Sequence, residues 1–157
     1  MELPEDREFM RAAIEQAKIA AAEGEVPVGA VIVCAGEVIS VGRNRRETGK
    51  NALFHAELEA IDLACKKRGG WRLPDCTLYV TLEPCPMCAG AVINARIPRV
   101  VYGAEDPKAG SVHSVTELFE LPYNHTPSIT SGVLGAECAA LLSDFFAGLR
   151  KKTAQIR

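Results

Sequence analysis

The stretch TLYVTLEPCPMCAGAVINA, residues 77–95, holds a strand, an abrupt stop and a helix. Thr77 to Leu82 is rich in β-branched and aromatic residues, which suit a pleated strand. Pro84 biases Glu83 to extended geometry and ends that strand. Pro86 suits the first position of a helix running to Ala95, which sets Cys85 at its cap and Cys88 one turn in.

The same alternation extends in both directions. Val28 to Cys34 is almost wholly apolar, as a strand covered on both faces should be. Ala35-Gly36 is a turn signal, and Val38 to Val41 reads as the return strand of a hairpin. A basic loop, Gly42 to Lys50, leads to a helix expected from about Phe54 to Arg68, with Leu58, Ile61 and Ala64 or Cys65 buried and Gly69-Gly70 as the stop. At the start, Pro4 opens a helix whose stripe of Phe9, Met10, Ala13, Ile14, Ala17 and Ala20 ends at Gly24. Downstream come a strand from Arg99 to Gly103, a loop to Ser114 and a short helix from Thr116 to Leu121. A weak strand from Ile129 to Leu134 and an amphipathic helix from Cys138 to Lys152 complete the chain. Strands alternating with helices predict an α/β fold, a three-layer α/β/α sandwich in one domain spanning residues 1–157.

Composition narrows the class. The chain has 157 residues, 48% of them hydrophobic and 24% charged, with a net charge of −2, which excludes a disordered tail protein. The longest apolar run, Val26 to Ala35, is about half the roughly 18 residues a membrane span needs. The acidic opening MELPEDREF is unlike a secretory signal, so a cytoplasmic protein with no membrane partner is expected. A reducing cytoplasm would not keep cysteines paired, so Cys34, Cys65, Cys76 and Cys138 read as unpaired, small, buried hydrophobes. Basic residues gather at Arg43 to Lys50, at Lys66 to Arg72, and at Arg150, Lys151, Lys152 and Arg157. Each cluster alone suits a solvated face; three leave open a side that binds polyanions.

Two short motifs carry chemistry. Cys85 and Cys88 are three apart at a helix start, so both sulfurs share a face and can reach one metal. A redox pair and two buried thiols are the competing readings. The other motif is His55-Ala56-Glu57. Residues two apart on a regular helix point about 200° from each other. His55 and Glu57 therefore converge only if His55 stands at the helix entrance. Together, one His and two Cys supply three zinc ligands and leave a fourth tetrahedral position open for water, whose pKa zinc lowers to about 7. Glu57 is then a general acid/base rather than a ligand. His113 and His125 fall in loops and read as exposed residues or substrate contacts.

The pattern H-x-E…P-C-x-x-C is the signature of zinc nucleobase deaminases, of which the tRNA adenosine deaminases are a type case. The chain resembles the bacterial tRNA-specific adenosine deaminases of the cytidine deaminase-like fold along nearly its whole length. The resemblance rests on Val26–Val33, Asn44-Arg45, His55–Glu57, Thr77–Ala91, Arg99–Gly103, Asp106, Asn124-His125 and Glu137–Phe146. It implies a homodimer, one zinc per subunit, and conversion of the wobble adenosine of a tRNA anticodon to inosine. Carried over by position, His55, Cys85 and Cys88 bind zinc and Glu57 moves protons. Backbone at Cys85 and Ala56 holds the base edge, Asn44 contacts the target nucleotide, and Asp106, Asn124 and Phe145 meet the anticodon loop. Of Phe145 and Phe146, one is expected in the core and one exposed. The family commonly has Asp-Pro-Thr-Ala before His-Ala-Glu; this chain has Asn51-Ala52-Leu53-Phe54. A deaminase of free bases or nucleosides would use the same zinc ligands and glutamate without a basic surface.

Overall fold

The computed structural model describes residues 1–156, Ile156 by its backbone alone; Arg157 lies outside the described residues. In chain order the elements are α1 (Asp6–Ala22), β1 (Gly29–Cys34), β2 (Glu37–Arg43), α2 (Ala56–Arg68), β3 (Cys76–Leu82), α3 (Pro86–Ala95), β4 (Arg99–Ala104), β5 (Ser128–Thr130) and α4 (Gly135–Ile156). The strands form one mixed sheet in the order β2-β1-β3-β4-β5. β1 runs antiparallel to β2 and β3, while β3, β4 and β5 are parallel.

Side chains alternate across the sheet, and each face has its own core. Ala30, Ile32, Leu78, Val80 and Val100 pack with Ala60, Ile61, Val92 and Ile93 of α2 and α3. Val31, Val33, Tyr79 and Val101 pack with Phe9, Met10 and Ala13 of α1 and Cys138 of α4. With helices on both faces, every residue of β1 is buried, which is why its sequence shows no polar alternation. The three-layer expectation holds.

Close helix seating needs glycine at two points. A Cβ on Gly29 would collide with the Ala13 carbonyl of α1, and one on Gly42 with the Ala56 carbonyl at the start of α2. The Ser40 hydroxyl also donates to the Ala60 carbonyl at 2.6 Å. β2 thereby fixes where α2 begins.

Several local expectations are corrected. α2 starts at Ala56 instead of Phe54, because His55 is extended (φ −82°, ψ 150°) and stands at the N-cap. The helix expected over Thr116–Leu121 is one 3-10 turn at Leu118–Glu120, where only Phe119 is buried. The last strand is Ser128–Thr130: β4 offers pairing to those three residues, and Gly132 and Leu134 then take positive φ. α4 begins at Gly135 and continues to Ile156. Cys34 and Cys76 are buried as expected, yet they form a disulfide. They face each other directly across the β1–β3 ladder, a relation that only strand register creates. Cys65 is half-buried, whereas Cys138 is buried and free. Neither aromatic of the Phe145-Phe146 pair enters the core: Phe145 is half-buried, Phe146 exposed, and the rings pack edge-on with centroids 5.5 Å apart. No helix among the described residues is long and apolar enough to cross a membrane.

Candidate metal centre and base pocket

The starts of α2 and α3 meet, each led by an extended N-cap residue: His55 for α2 and Cys85 (φ −73°, ψ 173°) for α3. His55 thus stands outside the helical repeat while Glu57 lies inside its first turn. That resolves the 200° conflict. His55 Nδ1 lies 3.6 Å from Cys85 Sγ and 3.6 Å from Cys88 Sγ, and the three donor atoms fall within 4.8 Å of one another.

These distances test whether an ion fits. Tetrahedral bonds of about 2.0–2.1 Å to nitrogen and about 2.3 Å to sulfur place the two ligand atoms about 3.6 Å apart. Both His–Cys separations match. Among the described residues no fourth His, Cys, Asp or Glu joins this donor group, and His113 and His125 lie elsewhere. His113 is exposed, and His125 Nε2 lies 2.6 Å from the Ile97 carbonyl.

Electrostatics agree with the geometry. The hydrogen bond from Cys88, aided by the one with His55, pulls the Cys85 thiol down to about 4. Cys88, the donor in that pair, is pushed up. A divalent ion bound by these residues would override this division and hold both sulfurs as thiolates, an outcome the two helix N-termini favour. The partnership with Cys85, with help from the Glu57 charge, raises His55. Burial pushes Glu57, 4% exposed, up to about 7. A buried carboxyl with a raised pKa beside such donors is a candidate general acid/base.

His55, Cys85 and Glu57 border a cleft of about 190 Å³, below the range of drug-sized pockets and suited to one planar base. Val26, Val28 and Leu82 give it apolar lining; Asn44, Arg46 and Asp106 give it polar lining, and Ala56 lies beside Glu57. The Asn44 Nδ2 donates to the Val26 carbonyl at 3.2 Å and its Oδ1 accepts the Arg46 N–H at 3.1 Å, so its side chain is already oriented. Asp106 Oδ1 accepts the N–H groups of Lys108 and Ala109. Asn124, exposed in the loop before β5, and Phe145 on α4 do not line this cleft. Part of the basic surface is neutralised: Arg43 pairs with Glu23, Arg45 with Glu59, Lys66 with Asp62 and Arg68 with Asp75.

Two buried carboxylates beside the cleft escape sequence reasoning. Glu25 accepts the N–H groups of Glu47 and Thr48 and so anchors the loop that carries Asn44 and Arg46. Glu83 anchors the loop that carries Asp106. Burial alone would raise Glu83, but its hydrogen bonds outweigh that and hold it below the usual carboxylate range. A Glu before a Pro gives no sign in sequence of such partners.

Residues 4–150 match the MafB19-like deaminase family. The chain is 51% identical over 151 residues to the tRNA-specific adenosine deaminase of Bacillus subtilis (strain 168), covering 96% of this chain and 94% of that protein. A solved structure from work on A-to-I editing by tRNA deaminases at the wobble position aligns with a TM-score of 0.84. Its identity is 45%, over 86% of this chain and 99% of that one. Guanine deaminase from Bacillus subtilis is also similar, with a TM-score of 0.62 and 38% identity over 76% of each chain. The extent of the family match and the identity to the tRNA-specific enzyme make this chain a member of the deaminase family, in its tRNA-specific adenosine deaminase branch.

Proposed function

We propose that this chain hydrolyses the wobble adenosine of a tRNA anticodon to inosine and ammonia, using zinc held by His55, Cys85 and Cys88 and protons moved by Glu57. The supporting observation is the juxtaposition of the buried Glu57 carboxyl with three clustered donors, His55 lying at tetrahedral spacing from each sulfur, beside a cleft sized for one base. Zinc, when bound, supplies Lewis acidity that lowers the pKa of a water to about 7.

The residues then divide the work. Adenine C6 is a poor electrophile, so negative charge building on the ring during water attack must be offset. Glu57 accepts the proton of the attacking water and delivers it to N1. Glu57, a carboxylate again, then takes the remaining proton of the hydroxyl added at C6 and passes it to the exocyclic amine, which leaves as ammonia as the C6 carbonyl of inosine forms. Backbone at Ala56 and Cys85 holds the base edge, and Asn44 meets the target nucleotide. An anticodon base is already unpaired, so turning it into the cleft costs only a few kcal/mol. Arg46 offers a cation to a phosphate beside the base. Asp106, Asn124 and Phe145 serve neighbouring nucleotides of the loop. The chain is read as one catalytic domain working as a cytoplasmic homodimer with one zinc per subunit.

The test is direct. Unmodified tRNA treated with the protein is digested to nucleosides and inosine at the wobble position is scored by mass spectrometry. Ammonia release from free guanine, with no inosine in tRNA, would replace this reading with that of a free-base deaminase.

A further inference from the structure

Glu83 has no place in the chemistry above, yet it is only 2% exposed and its carboxylate receives five hydrogen bonds. Oε1 accepts the Asp106 N–H at 3.1 Å and the Ser114 hydroxyl at 2.5 Å. Oε2 accepts the N–H groups of Val112, His113 and Ser114 at 3.2, 2.8 and 2.9 Å. All five donors belong to the loop 105–114, which closes one side of the cleft with Asp106 and Ala109. The next residue continues the attachment, since the Pro84 carbonyl accepts the Ser111 N–H at 2.8 Å. The residue after that is Cys85. Gly110 lets the loop reach the carboxylate, because a Cβ there would collide with the Glu83 carboxyl group and the Asp106 carbonyl.

We propose that Glu83 is a positioning residue for RNA binding: through one carboxylate it sets the loop that presents Asp106 at the cleft, in register with the metal ligand two residues on. Successive N–H groups gathered on one anion form a rigid cradle, so the loop is held in one conformation before substrate arrives. Pre-organisation of that kind lowers the ordering cost of binding and acts on substrate affinity more than on the chemical step. The kinetic part rests on the tRNA-editing reading; the structural part does not.

Glu83→Gln separates the bonds. The single amide oxygen, turned toward Val112, His113 and Ser114, keeps those three N–H donors. The amide nitrogen then faces the Ser114 hydroxyl, which rotates to accept, and the Asp106 N–H, which cannot. The variant therefore frees the Asp106 end of the loop alone.

The experiment compares zinc-loaded wild type with Glu83→Gln by hydrogen exchange, metal content and steady-state kinetics on an anticodon stem-loop RNA. Exchange should quicken at residues 105–109 and stay slow at 112–114, with metal content unchanged. KM should rise about tenfold, as expected for one buried hydrogen bond to a charged group, with kcat within about twofold. Gly110→Ala, which pushes on the carboxylate from the loop side, should raise KM likewise and covers the case of a poorly folded first variant. An unchanged KM in a variant with faster loop exchange overturns the proposal. So does a fall in kcat that tracks loss of metal, which would make Glu83 a support of the metal site. If wild type leaves the RNA unedited, the functional reading fails, and the exchange pattern still decides whether Glu83 holds the loop.

Discussion

Replacing Asp6 by Asn probes the polar contact that ties α1 to the sheet. Asp6, fully buried, accepts from Arg99 through both oxygens at 2.8 and 2.7 Å, from the Tyr79 hydroxyl at 2.7 Å and from the Leu3 N–H at 2.7 Å. Burial works to raise its pKa, but the Arg99, Leu3 and Tyr79 hydrogen bonds outweigh it and hold the carboxyl at about 2, against 3.8 for the free side chain. A depressed folded pKa contributes stability that is complete above the unfolded value and is lost as pH falls through the folded one. The shift of about 1.8 units corresponds to about 2.4 kcal/mol at pH 7, of which about 1 kcal/mol has gone by pH 3. At pH 7, Asp6→Asn should cost about 3–5 kcal/mol, since it leaves the Arg99 guanidinium, 16% exposed, without its counter-charge. Urea unfolding of both proteins, followed by circular dichroism at pH 7, 5, 4 and 3, measures the gap between them. Protonation of the metal ligands affects both proteins alike and cancels in that gap. The gap should narrow by about 1 kcal/mol between pH 5 and pH 3. A gap constant over that range would refute the depressed pKa and the ion pair behind it.

Other expectations concern the site. Glu57→Gln, nearly equal in volume, should keep its metal by elemental analysis while kcat falls by a factor of about 10² to 10⁴; loss of metal would recast Glu57 as a ligand. Cys88→Ser should lose the ion and lower the thermal midpoint, because binding energy at such a site is also folding energy; full occupancy in the purified variant would remove Cys88 from the ligand set. Gly42→Ala should displace the start of α2, since the added methyl meets the Ala56 carbonyl. Lower metal occupancy and activity are expected, and wild-type values for both would show that β2 does not set the position of His55.

The candidate donor set was legible in the chain because its parts are local. Cys85 and Cys88 are adjacent on one helix turn, the prolines that start that turn are its neighbours, and His55 and Glu57 sit two residues apart. Continuous apolar strand runs, helical stripes and helix stops likewise depend on near neighbours, so the three layers followed from pattern alone. The position of His55 as N-cap did not. It depends on Gly42 letting α2 lie against β2, a contact between residues fourteen apart. The Cys34–Cys76 disulfide depends on the register of two strands forty-two residues apart. Glu83 and Glu25 are the clearest cases, because in sequence they are ordinary carboxylates. Their roles come from backbone N–H groups of other loops, and every residue except proline has one of those. Sequence therefore determined which side chains are brought together as a candidate metal centre, since their types and spacing are written side by side. Tertiary structure alone decided which loops are held over the cleft, because main-chain donors look identical until folding brings them to one carboxylate.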